Sequence, residues 1–164
     1  MAMQTDVLSV HLNQSGLMVT TRARLKGYSA VGTATAGTIN IWDSVTAPTA
    51  ATYERAGFVI TVTSNAHGLI AGRNIGLTFA AGGATNGNYT IQTASTNTFT
   101  VTDINSGTVA AGAACNYNTR LLMSLDTNAQ SDFIAMPLPG QGILAENGIY
   151  AQMTNQTGLT IYYG

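Results

Sequence analysis

The chain is short of charge. Lysine, arginine, aspartate and glutamate make up 8% of its 164 residues and the formal net charge is −1, where an ordinary domain carries roughly 25% charged residues. Six scattered basic residues are too few for the positive surface that neutralises phosphates, which excludes a nucleic-acid partner. A hydrophobic share of 45% excludes a disordered tail, which combines low hydrophobicity with high net charge. Cysteine is nearly absent too: Cys115 stands alone, so there is no intrachain disulfide framework and no cysteine metal cluster. That usage fits a reducing cytoplasm, or a particle assembled in one. No apolar run approaches the roughly 18 residues of a membrane-spanning helix, and Met1 to Asp6 lack the basic start and apolar run of a signal peptide. No window of eleven or more residues keeps a 3.6-residue period.

What the chain has instead is 25 threonines, 13 asparagines and 18 glycines. Threonine, valine, isoleucine, tyrosine and phenylalanine recur with period 2, and glycine or asparagine punctuates them every eight to twelve residues, as in short strands joined by turns. Thr38 to Trp42, Phe58 to Thr63, Tyr89 to Gln92 and Thr98 to Thr102 alternate cleanly. Leu121 to Leu125, Phe133 to Met136, Gly148 to Met153 and Leu159 to Tyr163 continue the pattern. The expected fold is all-β: an antiparallel, jelly-roll-like β-sandwich carrying a small inserted β-barrel or sheet module.

The division rests on two small-residue stretches, 47–52 and 107–117, read as linking segments. They bracket a middle module, 53–117, inserted into a discontinuous host domain made of 1–46 and 118–164. Each host piece is too small to stand alone, while the two together have the size of one sandwich. An exposed hairpin tip is where such an insertion is tolerated. The alternative is one continuous sandwich with long loops.

The module runs through Ile60-Thr61-Val62-Thr63, His67-Gly68-Leu69, Ala71-Gly72-Arg73-Asn74, Ile75 to Phe79, Asn86-Gly87-Asn88-Tyr89 and Asn97-Thr98-Phe99-Thr100-Val101. The Asn-Gly step is a type I′ turn signal. This pattern resembles a module of many phage tail and virion proteins; the resemblance covers roughly residues 58–103 and implies a structural β module without catalysis. The host halves begin Val7 to Asn13, pass Arg22-Ala23-Arg24-Leu25-Lys26-Gly27, and end with Pro139 to Leu144, Gly148 to Ala151 and Leu159 to Gly164. They are similar to small virion structural proteins of tailed phages, notably those of cyanobacteria. That resemblance implies a capsid-associated or tail-associated role.

Residues that could carry chemistry do not group. His11 and His67 have no glutamate or cysteine at ligand spacing, and His67 beside Gly68 reads as a side chain that fixes its turn. Asp43, Asp103 and Asp126 fall just after strands, the place of turn-forming aspartates. Cys115 has no basic neighbour to activate it. Gly82 to Gly87 lacks the lysine of a phosphate loop and reads as a flexible hairpin end. The expectation is no enzyme, with no catalytic, cofactor-binding or metal-binding residues and no cofactor.

Candidate interface residues are Arg22, Arg24, Lys26 and Tyr28, which strict alternation places on one strand face, together with the aromatic anchors Trp42, Tyr162 and Tyr163. A polar but nearly uncharged surface suits a protein packed against neighbours. The expected role is a non-enzymatic virion protein, a capsid decoration or cement protein bound to the outer capsid surface. It would form a homo-oligomer, with a trimer favoured, and its partners would be the major capsid protein or other virion proteins. No membrane is involved, and the location is the virion, assembled in host cytoplasm. The alternatives are a tail, neck or fibre component, or a carbohydrate-binding adhesion module.

Overall fold

A computed structural model describes residues 7–131 and 133–164 of the chain. They form fourteen strands and no helix, and cluster into two compact units, Met1–Ala47 with Leu122–Gly164, and Pro48–Leu121.

The first unit is built from two sheets. One takes the order β1 (Leu8–Leu12), β14 (Gln156–Tyr163), β3 (Ala23–Gly32), β11 (Phe133–Pro137), with the short β12 (Ile143–Ala145) also on β3. The other takes the order β10 (Leu121–Thr127), β4 (Gly37–Asp43), β13 (Ile149–Thr154), β2 (Gly16–Val19). With β12 set aside, the remaining eight strands in chain order occupy places one-eight-three-six and five-four-seven-two. That is the order of a jelly roll, in which a long hairpin of strands is wound into two sheets. The antiparallel pairs are long-range: Leu8 opposes Tyr163, Ala30 opposes Leu159, and Ile41 opposes Ala151.

Alternation explains most of the core of this unit. Ile39 and Ile41 of β4 join Leu25 and Tyr28 of β3, Ile149 and Ala151 of β13, and Leu159 and Ile161 of β14 in one cluster. The isoleucines and leucines among them are completely buried, each worth about 1.5–3 kcal/mol relative to exposure.

The second unit is organised by one long ribbon. β5 (Thr49–Thr63) and β9 (Thr98–Asn118) pair antiparallel from Thr49 opposite Tyr117 to Thr63 opposite Thr98. β6 (Asn74–Phe79) pairs with residues 115–118 of β9 and with β7 (Gly87–Thr90), while β8 (Thr93–Ala94) pairs with residues 99–100 of β9. Ile60, Val62, Ile75, Leu77, Ile91, Phe99 and Val101 are buried together with Tyr53, Cys115 and Tyr117. Among the described residues no sheet closes into a barrel, so the module is an open sheet.

Three expectations change here. Segments 47–52 and 107–117 are not linkers: from Thr49 and through Asn118 they are strand, with Ala51 opposite Cys115 and Arg55 opposite Val109. Small side chains bury little, but their backbone N–H and C=O groups pair as well as any. Asn86-Gly87 is not a type I′ turn. Asn86 keeps a negative φ and its side-chain oxygen accepts the Phe79 amide at 2.8 Å, so a longer loop joins β6 to β7. Asp103 and Asp126 lie inside strands rather than after them, and Asp43 is the last residue of β4.

The interior of the second unit holds a charge pair. Arg55 and Asp103 meet at 3.1 Å with side chains 1% and 0% exposed. Arg55 also donates to the carbonyls of Gly57 at 3.3 Å, Gly83 at 3.1 Å, and Asn105. Burial raises the Asp103 pKa, but hydrogen bonds from Thr85, Asn105 and Ile104 outweigh it and hold the carboxyl below its ordinary value. The loop expected to be flexible at 82–87 is thus pinned by Arg55 at Gly83 and by Asp103 at the Thr85 amide, 3.1 Å away.

Removing one partner strands a buried charge. Arg55→Ala should cost about 3–5 kcal/mol in urea unfolding, while the double replacement Arg55→Met/Asp103→Leu should cost much less. Because the folded pKa of Asp103 is depressed, its contribution is present above the ordinary carboxylate pKa and fades as pH falls through the lower folded value. Asp103→Asn should remove that acid-side dependence, read as the urea midpoint from pH 7 down to pH 2.

Candidate interaction surface

Asp43, His67, His11 and Cys115 are each engaged in structural work. Asp43 is buried and its carboxylate accepts the Asn147 amide at 2.7 Å, holding the turn before β13. His67 accepts the Leu69 amide on Nδ1 at 3.0 Å, and its ring meets Phe99 edge-on at 5.3 Å. His11 and Thr160 share a 2.9 Å hydrogen bond across β1 and β14. Burial of Cys115 pushes its thiol up to about 12. No three histidine, cysteine or carboxylate side chains among the described residues gather as a metal site.

The basic stripe is shorter than strict alternation implies. Arg22 precedes β3, is exposed, and pairs with Glu146 at 2.7 Å; an exposed pair of this kind contributes about 0–1 kcal/mol. Arg24 and Lys26 are half-exposed, while Ala23 before them and Leu25 between them are buried. Tyr28 leaves the stripe: it is 2% exposed and belongs to the core. The cause is a β-bulge. Tyr162 opposes Gly27 and Tyr163 opposes Leu25, leaving Lys26 as an extra residue on β3. One extra residue inverts the faces beyond it, so Leu25 and Tyr28 both point inward.

The aromatic anchors separate likewise. Trp42 is wholly buried, on the face of β4 opposite Ile39 and Ile41 by strand alternation, and offers nothing to a partner. Tyr163 packs against the core, whereas Tyr162, its neighbour on β14, is exposed. Sequence order made them a pair; the pleat puts them on opposite faces.

Lys26 and Tyr162 come together in a groove of about 340 Å³, lined also by Val7, Gly27, Tyr28, Ala135, Met136 and Pro137. Its wall includes β11, a strand the sequence marked without a role. β11 ends its sheet, all five of its residues are exposed, and it carries no charge. Phe133 is 67% and Met136 50% exposed, and Val7, Leu8, Val31, Ile134 and Tyr162 add to the apolar surface of the same sheet and its N-terminal lead-in. Natural edges are blunted by charge, proline or shortness; this one has only its length and Pro137. The signal legible in the sequence was a charge-free Phe-Ile-Ala-Met-Pro strand, but its edge position depends on strand order.

Among solved structures, the chain aligns with Phage phi92 endosialidase at a TM-score of 0.34 and 15% identity, over 80% of this chain and 20% of that one. A likeness at this level establishes neither a family nor an activity. No protein-family model and no curated protein sequence matches the chain.

The thiol of Cys115 should be inert in the folded protein. Labelling at pH 8 with a small maleimide is expected to be slow, and complete only in denaturant, since burial leaves almost no thiolate; rapid labelling of the native chain would contradict the placement.

Proposed function

We propose that the chain is a non-enzymatic structural protein of a phage virion, a capsid decoration or cement protein that binds the outer capsid surface as a homo-oligomer. The observation that carries this reading is the uncharged, apolar edge of β11 beside the Lys26–Tyr162 groove. A contiguous apolar edge left bare invites aggregation, so a protein that keeps one uses it as a contact. The chain's low charge agrees, because a packed part has little need of charge to stay apart from its neighbours. The resemblance of the module and the host halves to tailed-phage virion proteins supplies the particle. Many copies on a lattice multiply weak contacts into firm attachment.

Quantitative mass spectrometry of purified particles tests this. Hundreds of copies per particle, and capsids that break at lower temperature when the protein is omitted, are expected. A copy number matching one ring would move the protein to the tail, neck or fibre. Absence from particles together with binding on a glycan array would replace the reading by an adhesion module.

A further inference from the structure

The buried Arg55–Asp103 pair has an outward consequence. Between Gly57 opposite Gly107 and Val59 opposite Thr102, the β5–β9 ladder sets one residue, Phe58, against four, Asp103 to Ser106. Arg55 clamps this bulge from inside, through the Asp103 carboxylate and the carbonyls of Gly57 and Asn105. With Asp103 drawn inward, Ile104 is 79% exposed, beside Phe58 at 53% and Val59 at 46%. The chain thus spends an ion pair to hold an apolar knob in water. Glu54, four residues before Phe58, is exposed and has no ion-pair partner among the described residues.

A partner for this knob needs an apolar recess with cations at its rim. The groove around Tyr162, Met136 and Pro137 is such a recess: it contains Lys26, and Arg24 lies on β3 two residues before it. We propose that the occupant is a second copy of the chain, with Ile104 and Phe58 of one copy seated between Tyr162, Met136 and Pro137 of the next. Glu54 then faces Arg24 and Lys26. The spacing allows it: Glu54 stands about 13 Å of strand from Phe58 and Arg24 about 7 Å from Lys26, and lysine and arginine side chains span the difference. Knob and groove are different surfaces, so the contact closes either reciprocally in a two-fold dimer or head-to-tail in a ring or an open chain. The inference rests on the assembly reading above and names the partner surface within it.

Sedimentation equilibrium of the full chain over a range of concentrations tests it. Wild type should self-associate. Glu54→Lys alone, or Arg24→Glu with Lys26→Glu, should weaken association about tenfold or more by opposing like charges. A chain carrying all three changes should regain it. Ile104→Ser should weaken association without lowering the melting temperature. A wild type that stays monomeric, a triple variant that fails to recover, or an Ile104→Ser chain that associates normally would each overturn the proposal. A monomeric chain still abundant in particles overturns this contact alone; a chain absent from particles overturns the virion reading.

Discussion

Backbone pairing between residues far apart in sequence is the constraint on which this structure rests. With no helix among the described residues, every strand must find its hydrogen bonds on another, and in the first unit those partners lie across the whole of residues 48–121. β3 sits between β14 and β11, and β4 pairs with β13. Such closure would carry the entropic cost of a long loop had the second unit not closed its own ends. Thr49 opposes Tyr117 and Ala50 opposes Asn116, so the chain enters and leaves that unit at neighbouring points, as it would across a hairpin turn.

Much of this was legible from alternation. Period 2 in Thr38 to Trp42, Phe58 to Thr63 and Thr98 to Thr102 marks strands that the structure contains, and an all-β antiparallel fold follows from them. What alternation cannot carry is a break in its own rule. Tyr28 is inward because Lys26 is an extra residue opposite Tyr162 and Tyr163, and no side chain announces a bulge. Nor could Arg55 and Asp103 be matched, since their meeting depends on the register of two long strands. Trp42 shows a further limit: the pattern gives it a face but not what covers that face. The glycine- and alanine-rich run at 107–114 reads as a joint because pattern arguments weigh side chains, whereas its structure comes from the backbone.

The scarcity of charge takes on a more specific meaning. Among the described residues, Arg22 on the surface and Arg55 in the interior are engaged in ion pairs. The buried pair does what a hydrophobic pair of the same volume could not, fixing three carbonyls around one guanidinium and so fixing the shape of a bulge. Of the two half-exposed cations on β3, Lys26 lines the apolar groove and Arg24 lies two residues before it.

The interleaved strand order also governs the moment at which each unit can form. Residues 48–121 are contiguous and hold all their own partners, so this unit can fold as soon as it clears the ribosome. The first unit cannot: β3 and β4 wait for β11, β13 and β14, which lie in the last part of the chain. At a synthesis rate of roughly 5–20 residues per second, the stretch from the end of β4 at Asp43 to the end of β14 at Tyr163 takes about six to twenty-four seconds. During that time β1 to β4 lack all of the strands that they pair with in the finished fold. A second unit that folds first has already closed the gap between β4 and β10 by pairing Thr49 with Tyr117, so only the strands on either side of it have still to find their places.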